Sequence, residues 1–107
     1  MNILRNEGMT MIFKDFKGEP ISRLGMGCMR LPTVGGGRGA PIDFDKAAEI
    51  IDYAMKNGIT YYDTAYVYAG SEDFLGKVLP RYDRSGFKLA TKYMASANPD
   101  YKAVFEE

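Results

Sequence analysis

The sequence contains no histidine and only one cysteine, Cys28, among its 107 residues. Without histidine, and with one thiol, the chain cannot build a zinc site of the usual Cys/His kind. It also cannot supply a catalytic triad that needs an imidazole. A single cysteine excludes an intrachain disulfide. Charge of either sign is not in excess: 14 Lys and Arg balance 14 Asp and Glu. That argues against a uniform field for nucleic acid or an anionic membrane surface. No stretch approaches the roughly 18 apolar residues of a membrane span. The first residues, Met1-Asn2-Ile3-Leu4-Arg5-Asn6-Glu7, lack the apolar core of a secretory signal. The expected setting is therefore a reducing cytoplasm.

What is present reads as a soluble α/β chain, with 46% hydrophobic and 26% charged residues. Residues 1–10 are expected to form a loose extension, Met1, Met9 and Met11 each being a possible start, and residues 11–107 one partial domain. Met11 to Phe16, the turn signal Lys17-Gly18 and Glu19 to Ser22 predict a β-hairpin. Leu24-Gly25-Met26-Gly27-Cys28-Met29 has no polar residue, the pattern of a strand buried on both faces. Its glycines suggest close approach of another backbone or a ligand. A loop holding Gly35, Gly36, Gly37 and Gly39 follows.

Asp43 to Asn57 predicts a helix. Asp43 caps it, Ala47, Ala48, Ile50, Ile51, Ala54 and Met55 form its inner face, and Gly58 stops it. Ile59 to Tyr62 predicts a strand ending at Asp63. A second helix runs from about Ser71 to Leu79, with Phe74, Leu75, Val78 and Leu79 inward and Pro80 closing it. Phe87 to Thr91 predicts a third strand with Lys92 at its end. Asn98-Pro99-Asp100 caps a third helix from about residue 101 to 107. A hairpin followed by alternating strands and helices implies a parallel sheet with crossover helices.

In parallel α/β folds, ligands sit at the carboxyl ends of the strands. Those ends carry Cys28-Met29-Arg30, Asp63 and Lys92. Neighbouring strands lie about 4.8 Å apart, so Asp63 and Lys92 can form an ion pair, and Tyr68 lies on the loop crossing the same rim. An ammonium beside a phenol favours the phenolate and eases proton donation, while Asp63 would orient Lys92. The set suits protonation of a carbonyl oxygen as a hydride reaches the carbon. A nicotinamide cofactor would have to supply that hydride.

Other readings stay open at this point. Asp63-Thr64 could simply cap a turn. Tyr68 is one of eight tyrosines, most of which pack with a satisfied hydroxyl. Lys92 could be a solvated strand-end charge. Cys28 could be a small buried hydrophobe, Met26 and Met29 core residues, and Glu72 a charge favouring its helix N-terminus. Gly35-Gly36-Gly37-Arg38-Gly39-Ala40 fits G-x-G-x-x-A, which would make the chain half of a Rossmann domain. However, Arg30 to Val34 separate it from the strand and Pro41-Ile42 from the helix, against the required context.

Four segments together resemble the amino-terminal third of an aldo/keto reductase. They are Leu24 to Pro32, Gly58 to Tyr68 with its Asp63-Thr64-Ala65-x-x-Tyr68 element, Ser71-Glu72-Asp73-Phe74-Leu75-Gly76, and Ala90-Thr91-Lys92. The resemblance covers roughly residues 11–107. It implies the N-terminal part of a (β/α)8 TIM barrel, with a hairpin closing its bottom and about three βα units. It implies reduction of a small-molecule aldehyde or ketone with NADPH, less often NADH, without a metal. Asp63, Tyr68 and Lys92 fall on the family's catalytic positions, Tyr68 as general acid and Lys92 as its partner. Gly27, Cys28, Met29 and Arg30, with Asp63, look like the part that touches the nicotinamide ribose side.

The Gly-Cys-Met-Arg-Leu-Pro wording is also similar to members that carry an iron–sulfur tail, which would belong to a longer parent protein. The family's catalytic histidine and its phosphate-holding loops are not in this sequence, and a full barrel needs about 250 residues. The 107 residues alone are therefore expected to be a truncated fragment with little turnover. Their open strand edges favour self-association. A non-catalytic oligomerisation or interaction module is the alternative.

Overall fold

The computed structural model describes residues 3–6, 9–94, 100 and 102. Its strands form two separate three-stranded sheets. The first is antiparallel, ordered β1-β2-β3, from β1 (Ile3–Asn6), β2 (Met9–Phe16) and β3 (Glu19–Ser22). The expected hairpin is the β2–β3 pair, with Phe16 opposite Glu19 and Phe13 opposite Ser22. Its two-residue turn has both Lys17 (φ 52°) and Gly18 (φ 87°) in the left-handed region. That turn matches the twist of the flanking strands. Residues 1–10 carry no strand signal in the sequence, yet Ile3–Asn6 pairs with residues 9–12 of β2. A four-residue edge strand is specified by the ladder it joins more than by its own pattern.

The second sheet is parallel, ordered β4-β5-β6, from β4 (Met26–Gly27), β5 (Tyr61–Asp63) and β6 (Lys88–Ala90). Helix α1 (Phe44–Lys56) connects β4 to β5, and α2 (Ser71–Val78) connects β5 to β6. Asp43 caps α1, its side chain accepting from the Lys46 amide at 3.2 Å, and Gly58 (φ 90°) turns the chain out of it. The inner face of α1 is narrower than the sequence suggests. Ala47, Ile51 and Ala54 are buried, but Ile50 is 39% exposed, because it sits at the margin of the stripe that meets the sheet. Phe74, Leu75 and Val78 of α2, and Leu79 directly after it, are all buried as expected. Pro80 lies in a single 3-10 turn that follows directly. The helix expected from about residue 101 to 107 falls outside the described residues, apart from Lys102.

One core lies between this sheet and its two helices. Cys28, Tyr62 and Phe87 of the sheet side pack with Ala47, Ile51, Phe74, Leu75 and Val78 of the helices. Phe44 meets Phe74 edge-on at 5.3 Å, and Tyr62 meets Phe87 at 6.4 Å. The buried Tyr62 hydroxyl donates to the Ile59 carbonyl at 2.8 Å, so no polar atom is stranded there.

The first strand is not buried on both faces. Cys28 is fully buried, whereas Leu24 is 55% and Met29 58% exposed. Burial alternates because the helices cover only the side of the sheet that carries Cys28 and Tyr62. Gly25 matches the expected close approach: a Cβ there would come within 3.3 Å of the Tyr61 ring. The antiparallel sheet docks at the entrance of the parallel strands. The Ser22 amide donates to Thr60 Oγ1 at 2.8 Å, and the Thr60 amide returns a bond to Ser22 Oγ at 2.9 Å. Lys88 pairs with Glu19 at 2.6 Å. The opposite ends of the strands, where Gly27, Asp63 and Ala90 sit in register, stay free of it.

Candidate active site

The register of the parallel sheet builds this rim. Beyond it the ladder continues: the Cys28 amide donates to the Asp63 carbonyl at 2.8 Å, and the Thr64 amide to the Ala90 carbonyl at 2.8 Å. The Tyr66 amide donates to the Lys92 carbonyl at 3.0 Å. The chain leaving β5 is thus held beside the chain leaving β6. Side chains alternate along a strand. With Tyr62 in the core, Asp63 therefore faces away from the helices.

Lys92 meets Asp63 there. Its Nζ donates to Asp63 Oδ1 at 2.8 Å, Asp63 Oδ2 at 2.9 Å and the Thr64 carbonyl at 2.9 Å. Three acceptors match the three N–H bonds of an ammonium, which fixes its orientation. The hydrogen bond to Asp63 holds Lys92 above the usual lysine range, against a smaller opposing effect of burial. The same Nζ stands 5.1 Å from the centre of the Tyr68 ring. The carboxylate, the ammonium and the phenol, from separate stretches of the chain, are therefore brought together on one rim. Tyr68 is placed by its own turn: its amide donates to the Ala65 carbonyl at 3.1 Å, and its carbonyl accepts from the Ser71 amide at 3.0 Å.

The other residues singled out in the sequence divide. Gly27 lies on the exposed side of the sheet, with nothing within 4 Å of where a Cβ would stand. Met29 and Arg30 are exposed beside the glycine-rich loop and line a cavity with it. The Cys28 side chain points the other way, into the core, with its thiol pushed up to about 11 first by burial and then by the charge of Asp63. It packs against the helices and offers no surface to a ligand. The glycine loop does not have dinucleotide-fingerprint geometry. Strand β4 ends at Gly27 and α1 begins at Phe44. Between them Thr33 bridges Ile42, and the Val34 amide donates to the Pro41 carbonyl at 2.9 Å. The loop closes on itself instead of opening a helix.

The sequence reading missed two features behind the rim. Buried Thr64 and Ser71 join at 2.6 Å between their hydroxyls, and Ser71 Oγ donates to the Cys28 carbonyl at 2.8 Å. The carbonyl can only accept, so it takes the single serine proton, and Thr64 must donate to Ser71. Glu72, read only as a helix-end charge, accepts from Thr91 Oγ1 at 2.5 Å, tying α2 to the end of β6. A hydroxyl residue beside Asp63 and another at the start of a helix are the only sequence signals, and neither names its partner.

The model of the aldo/keto reductase family matches residues 23–104. A Glycine max protein named "Probable aldo-keto reductase 1" is 36% identical over 90 residues, covering 80% of this chain and 25% of the relative. An aldo-keto reductase of Strobilurus tenacellus is 34% identical over 76 residues, covering 68% of this chain and 23% of its own length. A solved aldo-keto reductase of Bacillus halodurans, in its holo form, superposes with a TM-score of 0.61 at 36% identity, covering 78% of this chain and 26% of that one. The chain thus spans about a quarter of the length of the curated relatives it matches. The parallel sheet and its two helices are part of a TIM-barrel-type α/β fold. The family model and these relatives together show that this chain belongs to the aldo/keto reductase family.

Proposed function

We propose that these residues form the proton-delivering part of a nicotinamide-dependent reductase acting on aldehydes or ketones. The observation that carries this reading is the Asp63–Lys92–Tyr68 cluster at the carboxyl ends of the parallel strands. Tyr68 donates its hydroxyl proton to the substrate's carbonyl oxygen. Lys92, kept charged by Asp63, stabilises the negative charge left on the phenol oxygen. The Thr64 carbonyl completes the coordination of the ammonium, so the charge is fixed before substrate arrives.

Part of a nicotinamide nucleotide fits the exposed side of the rim. Gly27 leaves open space there, Met29 offers an apolar surface, and Asp63 keeps lone pairs for a ribose hydroxyl. Gly27, Met29 and Asp63 would hold that end of the cofactor, NADPH or NADH; Cys28 would act from behind, through packing, and Arg30, which lines the glycine-loop cavity with Arg38, is left to that cavity. When bound, the cofactor supplies the hydride.

The 107 residues by themselves turn over slowly or not at all in this reading, because the rim holds one acid and no histidine to orient the carbonyl beside it. Two measurements test it. Purified chain with NADPH and an aromatic aldehyde should show no robust cofactor oxidation, and rapid turnover overturns the slow-fragment part. Grafted in place of the matching quarter of the Bacillus halodurans relative, the same residues should support reduction. Tyr68→Phe in that graft should lower kcat by roughly 10²- to 10⁴-fold, the range for a lost general acid, with KM little changed. A Tyr68→Phe graft as fast as its parent overturns the assignment.

A further inference from the structure

We propose that the glycine-rich loop after β4 forms a second binding site, which takes the anionic group of an acidic carbonyl substrate through Arg30 and Arg38. The proposal rests on the reductase reading and adds a substrate class to it. The loop borders a cavity of about 570 Å³, lined by Arg30 and Arg38 together with Met29, Thr33 and Ile42, and no Asp or Glu lines it. Among the described residues neither arginine has a carboxylate partner. Several other cations among the described residues are matched locally: Lys88 by Glu19, Lys92 by Asp63, and Arg81 and Arg84 by the rings of Phe44 and Phe87; what sets Arg30 and Arg38 apart is that they share one cavity without an acid.

Two guanidinium-bearing residues border one cavity whose lining has no acid, so an anion there would be neutralised by charges left unmatched among the described residues. Their planar donor forks suit the paired oxygens of a carboxylate or phosphate. The loop that carries Arg38 is braced for such a role. Besides the Thr33–Ile42 bridge, Thr33 Oγ1 donates to the Gly37 carbonyl at 2.9 Å.

The position of the cavity gives it a substrate instead of a stray ion. Ala69, directly after Tyr68, lines it. A Cβ at Gly70 would stand 3.5 Å from the Ile42 side chain, so the loop touches the turn that carries the acid. Met29 and Arg30 follow the carboxyl end of β4. A molecule with its carbonyl at Tyr68 and an anionic group a few bonds away would reach both. Oxo acids and phosphorylated aldehydes share that chemistry.

Backbone-amide NMR titration of the 107-residue chain tests this with acetate, inorganic phosphate and neutral acetamide. Saturable shifts confined to residues 30–42 are expected with at least one anion and not with acetamide. Whichever anion binds more tightly identifies carboxylate or phosphate as the group recognised. Arg30→Gln and Arg38→Gln, both at exposed positions outside the core, should each weaken binding roughly tenfold or more, as when a charge-assisted hydrogen bond is lost. Lys14→Gln on the hairpin should leave it unchanged. An equal response to acetamide, no saturable response to either anion, or unchanged binding in both arginine variants overturns the site. Displacement of the bound anion by NADP+ assigns the arginines to the cofactor and overturns the substrate class. None of these outcomes bears on Tyr68, which turnover of the graft tests separately.

Discussion

Replacing Ser71 with alanine should destabilise the protein, and replacing Thr64 with valine in the same chain should restore part of the loss. The reason is the direction of the buried hydroxyl chain. Thr64 donates to Ser71, and Ser71 donates to the Cys28 carbonyl. Ser71→Ala strands two buried groups, the Thr64 hydroxyl and the Cys28 carbonyl. Leaving one such group unsatisfied costs about 1–3 kcal/mol, so the single variant, which strands two, should lose roughly 2–6 kcal/mol. Thr64→Val alone removes a donor, but Ser71 keeps its bond to the carbonyl; about 1 kcal/mol is expected. In the double variant only the carbonyl is stranded, so it should be no less stable than Ser71→Ala, and more stable by about 1 kcal/mol. Urea denaturation of the four proteins, with m held in common, measures this cycle. Additive losses, or a Thr64→Val loss equal to that of Ser71→Ala, would refute the donor assignment. The same hydroxyls tether the turn that carries Tyr68 to the end of β4, so the stability cycle reports on how rigidly the acid is mounted.

Stability should fall as pH rises from 9 towards 11. The Cys28 thiol keeps its proton to about 11 in the folded chain, against an ordinary value of 9.0. The unfolded form therefore ionises first and gains, by up to about 3 kcal/mol over that window. Urea midpoints that do not fall between pH 9 and 11 count against the burial argument. For the same reason iodoacetamide should leave Cys28 unmodified at neutral pH until urea unfolds the chain. Modification at equal rates in native and unfolded protein contradicts its placement in the core. Phe74→Ala should cost about 3–5 kcal/mol, since the ring is buried and meets Phe44 edge-on. Ile50→Ala, at a residue 39% exposed, should cost only about 1–1.5 kcal/mol. Similar losses for the two would show that the inner face of α1 is drawn wrongly.

Helix positions and the residues of the rim were legible in the sequence, because both follow from short-range rules. Asp43, Gly58 and the apolar spacing of α1 and α2 act within a few residues, so the helix limits moved little. Strand ends follow from the same alternation, and in a parallel sheet those ends are where functional groups gather. That was enough to single out Asp63, Tyr68 and Lys92 together.

Only the tertiary structure decided the rest, because it depends on which surfaces meet. Whether Leu24 to Met29 is covered on one face or two depends on where the helices lie, and they lie on one. The direction of the Cys28 side chain follows from the same fact. Ile3–Asn6 becomes a strand only because β2 offers it a ladder, and Thr64, Ser71 and the Cys28 carbonyl find one another across 43 residues of sequence. Periodicity and capping are written locally in the chain; the pairing of distant polar groups is written only in the packing.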